Sequence, residues 1–68
     1  MKRLTVERQS RKWSKHQLAR LANIHPTRLG QIELGRAIPP DDSVELKRIA
    51  KALGWTERPV LLLEEVED

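Results

Sequence analysis

Sixty-eight residues with a net charge of +3, 38% apolar and 34% charged side chains, and no Cys, Tyr or Phe make one small domain, because a chain this short buries only about 60% of its unfolded surface. That size argues against a large enzyme, and the missing cysteines exclude a disulfide framework or a thiolate metal site. With only His16 and His25, a structural zinc would need carboxylate help.

No apolar run approaches the ~20 residues of a membrane-spanning helix, and no apolar signal-type stretch follows the N-terminus. The expectation is a soluble cytoplasmic protein with one domain over residues 1–68. The charge is uneven along the chain. Residues 1–40 carry nine basic and two acidic side chains, a net +7, whereas residues 41–68 carry four basic and eight acidic ones, a net −4. A positive half can steer and hold a polyanion, and an acidic tail is repelled from one and left facing solvent or a partner.

In chain order, the segment from about Arg3 to Lys12 is free of Gly and Pro, with Leu4 and Val6 available to anchor a first helix. Ser14-Lys15-His16-Gln17 has the Ser-x-x-Gln form of a capping box, in which hydroxyl and amide each satisfy an orphan N–H. Leu18, Leu21 and Ala22 follow at i, i+3 and i+4 as one apolar stripe. Asn23 suits a left-handed stop. Pro26 then opens a second short helix with its φ already preset, Leu29 and Ile32 define the inner face, and Gly35 ends it. Arg36-Ala37-Ile38-Pro39-Pro40 reads as a loop, since two successive prolines remove donors and restrict their neighbours. Beyond it Asp42-Ser43-Val44-Glu45 is a box-like start to a helix whose stripe is Leu46, Ile49, Ala50 and Leu53, closed by Gly54. The final apolar run, Pro59 to Leu63, is too short for periodicity to separate helix from strand; a short helix is favoured within a C-terminal segment 57–68.

Two short helices joined by a tight turn, with polar outward positions on the second, form a helix-turn-helix over about 14–34. The run from Trp13 to Gly35 resembles the lambda-repressor/Cro-like (XRE-type) family through Leu18-Ala19, Asn23-Ile24, and Leu29, Ile32, Glu33 and Gly35. Ala-Lys-Ala-Leu-Gly at 50–54 is similar to that family's fourth helix. The resemblance implies an all-α domain of four or five helices that binds double-stranded DNA, with helix 26–34 in the major groove, as a small repressor-type prokaryotic or phage transcriptional regulator. Three departures from the family pattern stand out. Asn23 replaces the usual turn glycine, the segment between Glu33 and Leu53, which holds the Pro39-Pro40 loop, is about two residues longer than the commonest family form, and Gly30 sits inside the recognition helix.

The family roles fall on matching residues. Thr27, Arg28 and Gln31 are the candidate base readers, since Gln pairs with adenine edges, Arg with guanine edges or phosphate, and a Thr methyl packs on thymine. Ser14, Lys15, Gln17 and the amides of that helix start form a candidate phosphate clamp, joined by Arg36, with His25 and Pro26 at the start of the reading helix. Arg8 and Glu33 match a structural ion pair. Trp13 and Trp55 are read as core residues, not base-stacking platforms. No catalytic constellation, cofactor site or metal site is expected. Val60 to Leu63 is a candidate homodimer surface or a piece of the monomer core. The alternative function is a protein-interaction module whose acidic tail or apolar end docks on a protein partner, as in antitoxin members that resemble this family.

Overall fold

Four residues with left-handed backbone punctuate the chain: Lys12 (φ 59°), Asn23 (57°), Gly35 (78°) and Gly54 (69°). Each closes one α-helix of the computed structural model, which describes residues 1–67. The helices are α1 (Arg3–Ser10), α2 (Lys15–Ala22), α3 (Pro26–Glu33) and α4 (Val44–Leu53), followed by a 3₁₀ helix, Pro59–Leu63.

Every α-helix stops with the same paired hydrogen bonds. The amides of Trp13, Ile24, Arg36 and Trp55 reach back to the carbonyls of Arg8, Ala19, Gln31 and Ala50 at 2.8–3.3 Å. Inside them, the amides of Lys12, Asn23, Gly35 and Gly54 donate to Gln9, Arg20, Ile32 and Lys51 at 2.9–3.1 Å. This double closure satisfies carbonyls that a helix end would otherwise orphan, and at three of the four ends the following side chain turns inward, the exception being exposed Arg36. Trp13, Ile24 and Trp55, each one residue past the left-handed position, accordingly pack against the core. Both tryptophans are therefore core elements.

The core joins Leu4 of α1, Leu18, Ala19 and Ala22 of α2, Leu29 and Ile32 of α3, and Ile49, Ala50 and Leu53 of α4 with Leu62 of the 3₁₀ helix. Leu46 is also fully buried, so the whole expected stripe of α4 faces inward. In α2 the stripe is rotated. Leu21 is 56% exposed, and the buried set is Leu18, Ala19 and Ala22. On a helical wheel Leu21 lies beyond the edge of the arc those three define, so the small Ala19 takes the place expected for Leu21.

α1 ends at Ser10, short of Lys12, because Lys12 takes the left-handed turn. Ser43 caps α4, its hydroxyl accepting the Leu46 amide, and with leucine at the third helical position no reciprocal box forms. The C-terminal run coils as a 3₁₀ helix with Leu62 fully buried and Val60, Leu61 and Leu63 half-buried. Leu62 is part of the core and Leu63 packs against it. The chain then returns to its start, with an isolated antiparallel bridge between Lys2 and Glu65 and the Val66 amide on the Met1 carbonyl at 2.8 Å. No strand beyond this bridge forms among the described residues.

Candidate nucleic-acid interface

Ser14 and Gln17 build the start of α2. The Ser14 hydroxyl accepts the Gln17 amide at 3.1 Å and the Ser14 amide donates to the Gln17 carboxamide at 2.7 Å. Both side chains are engaged in this cap, which leaves exposed Lys15 and the free first-turn amides as the anion-attracting groups there. Across the turn, Asn23 bends the chain into Ile24-His25, and the His25 ring Nδ1 accepts the Thr27 amide at 3.1 Å. Pro26 occupies the first turn, where its missing N–H leaves no bond unmade.

With Leu29 and Ile32 buried, Thr27 and Gln31 stand exposed four residues apart on the outer face of α3. Between them Gly30 is surrounded by open space, with no heavy atom within 4 Å of an added Cβ. Arg36 is exposed just past Gly35. The loop after it is pinned by half-buried Ala37 and buried Pro39, which turns Ile38 outward at 79% exposure.

Arg28 differs from the other two candidate base readers, Thr27 and Gln31. Its Nε and Nη2 donate to the two Glu45 carboxylate oxygens, both at 2.9 Å, tying α3 to the first turn of α4. The side chains are 39% and 31% exposed. The Arg28 hydrogen bonds, followed by its charge, hold the Glu45 carboxyl below the ordinary carboxylate range against the opposing effect of burial. Glu45 in turn raises the Arg28 guanidinium, chiefly through the same hydrogen bonds. Residue-by-residue reading of the sequence missed Glu45. Its signal would have been an acidic residue in the first turn of the helix that follows the recognition helix, which spacing alone does not connect to Arg28.

Arg8 and Glu33 make a second, buried fork. Arg8 Nε and Nη2 donate to Glu33 at 2.9 and 3.1 Å, and the side chains are only 10% and 4% exposed. The Thr5 hydroxyl adds a bond to Glu33 at 3.1 Å, and Arg8 Nη1 donates to the Trp13 carbonyl at 2.8 Å. Every strong donor and acceptor in this cluster is thus used, as burial demands. Together they lock α1 and the α1–α2 corner to the end of α3.

The acidic tail stays exposed at Glu64, Glu65 and Glu67, but two of these carboxylates are also paired within the chain. Glu65 pairs with the N-terminal amine at 2.9 Å and with Lys2 at 3.2 Å, and Glu64 pairs with Arg3 at 3.3 Å. Hydrogen bonds from that amine and from Lys2 lower the Glu65 carboxyl. The negative half of the chain neutralises cations at its beginning, because folding brings the two ends together. Asp68, the tail's last residue, lies outside the described residues. Lys12, Lys15, Arg20 and Arg36 of the basic half are exposed and form no ion pair among the described residues.

His16 is exposed, and no cluster of three or more His, Asp or Glu capable of holding a metal occurs among the described residues. No helix among them is long and apolar enough to cross a membrane. No curated protein and no solved structure shows a significant match to the chain. A family model described as helix-turn-helix matches residues 6–60. That span takes in all of α2, α3 and α4 and most of α1, the elements that build the turn, the outer face of α3 and the buried fork. The chain therefore belongs to the XRE-type, lambda-repressor-like helix-turn-helix family of DNA-binding regulators.

Proposed function

We propose that the protein reads a specific duplex DNA sequence by placing α3 in the major groove, and that it acts as a small transcriptional regulator of the repressor type. The observation that carries this reading is the outer face of α3. Thr27 and Gln31 are exposed on it, free of protein hydrogen bonds from their side chains among the described residues, beside Arg28, and the cations Lys15 and Arg36 at the start of α2 and just past α3 are exposed as well. Thr and Gln are matched to a thymine methyl and an adenine edge, and Arg to a guanine edge. Lys15, Arg36 and the α2 amides sit where phosphates fix register and orientation without reading sequence.

The molecule measures 26 × 24 × 23 Å, smaller than the ~34 Å that separates successive major-groove segments on one face of DNA. A copy of this size reaches one major-groove segment, so an inverted-repeat operator would be read by two copies, one on each half-site. A second reading, in which the acidic tail docks on a protein partner, has less unpaired charge to draw on, because Glu64 and Glu65 pair within the chain.

Selection of bound duplexes from a random library at about 150 mM salt tests the proposal, since affinity is interpretable only at stated salt. An enriched inverted repeat is the expected result. Lack of any enrichment would refute sequence reading. Arg28→Ala combined with Gln31→Ala should abolish preference for the enriched site while leaving the fold intact.

A further inference from the structure

The geometry points to Glu45 as the specificity-determining residue of this interface: it holds Arg28 as a base reader and keeps it from acting as a general phosphate binder. The assignment rests on the DNA-reading role proposed above. A guanidinium presents two bidentate edges, one along Nε and Nη2 and one across its far end. Glu45 occupies the first edge with both oxygens, leaving the end of the fork for an acceptor pair such as guanine O6 and N7. The side chain is thereby oriented before DNA arrives, which reduces the ordering needed on binding.

The same pair has no net charge. An unpaired arginine on a recognition helix is drawn to the nearest phosphate whatever the sequence, and each such contact adds to the salt dependence of binding. Neutralised by Glu45, Arg28 adds little to that attraction and responds mainly to the geometry of the base edge. Position supports the division of labour. Glu45 is anchored in the first turn of α4, a helix whose inner face is fully built into the core, so its carboxylate is a fixed reference point. Lys15 and Arg36 have no carboxylate partner among the described residues and remain available as the charge-based contacts. The fork is also about one-third exposed, open enough for a ligand to approach its far end.

The test compares the full chain with its Glu45→Gln variant on two duplexes, the enriched sequence and a scrambled one of equal length and composition, titrated at several salt concentrations. For E45Q we expect tighter binding of the scrambled duplex, a log–log salt slope steeper by about 0.9, corresponding to one added phosphate contact, and discrimination reduced about tenfold. Adding Arg28→Ala should return the slope to that of the wild type. Arg28→Ala alone should weaken the enriched duplex about tenfold and leave scrambled binding and its slope unchanged, a readout that does not depend on how E45Q folds. A wild-type protein that discriminates normally, alongside an E45Q variant with the same slope and the same discrimination, would overturn the assignment. Wild-type protein that binds neither duplex would instead sink the DNA-reading role and this assignment with it.

Discussion

Two arginine–glutamate forks meet α3, one at each side, with nearly the same bond lengths and very different surroundings. Arg8–Glu33 is nine-tenths buried or more and draws in Thr5 and the Trp13 carbonyl, whereas Arg28–Glu45 is about one-third exposed and has no further hydrogen-bond partner. Identical donor and acceptor chemistry therefore serves two ends. Burial makes the first a structural lock, since a charge stripped of its partner there has no water to turn to. Exposure makes the second exchangeable, because water screens it and limits its worth to the fold.

The largest expected effect is at the buried fork. Glu33→Ala strands the Arg8 guanidinium and should destabilise the fold by about 3–5 kcal/mol, enough to leave a domain of this size largely unfolded at room temperature. Chemical denaturation measures it. A cost under about 1 kcal/mol would erase the distinction between the two forks, because that is the range of a surface pair. Replacing Arg8 and Glu33 together by apolar residues of similar size should recover most of the loss. DNA binding lost in Glu33→Ala would thus report unfolding and not contact.

Next in size is Lys12. Its left-handed backbone carries the Trp13 carbonyl to Arg8, and a residue with a Cβ is strained there. Lys12→Gly should stabilise the protein by about 1 kcal/mol, raising the melting temperature by about 4–8 °C. Calorimetry checks this, and a lowered melting temperature would mean that the Lys12 side chain matters more than its backbone.

The smallest effect concerns pH at the exposed fork. Because Glu45 has its carboxyl lowered in the fold, its contribution is present in full above the ordinary glutamate value of about 4.3 and fades as pH falls through the lower folded value. Wild-type stability should therefore drop more than that of Glu45→Gln between pH 5 and pH 3, measured by urea unfolding. Equal drops would show that the exposed fork contributes nothing to the fold.

Much of this was legible from residue order. Ser14 with Gln17, Asn23, Pro26, Gly35, Ser43 and Gly54 mark helix ends through local chemistry, and the α4 stripe follows from helical spacing, because both depend on atoms within a turn or two of one another. Arg8–Glu33 was reachable only through family resemblance, since twenty-five positions separate its members. Leu21 was misplaced because two apolar arcs of α2 satisfy nearly the same spacing, and only the approach of neighbouring helices chooses between them. Lys12 gave no local sign, being a residue type that seldom takes a left-handed turn.

Helix number, the helix-turn-helix and the polar outer face of α3 were thus determined by the sequence itself, through capping groups and a repeat of 3.6 residues. Tertiary structure decided most of the charge pairing, the i,i+4 pair Glu7–Arg11 being local. Opposite charges far apart in the chain, Lys2 with Glu65 and Arg28 with Glu45, meet only after the core has closed. A net +7 half and a net −4 half consequently become a surface on which a few selected cations stay open, because Coulomb attraction depends on distance in space and not on separation along the chain.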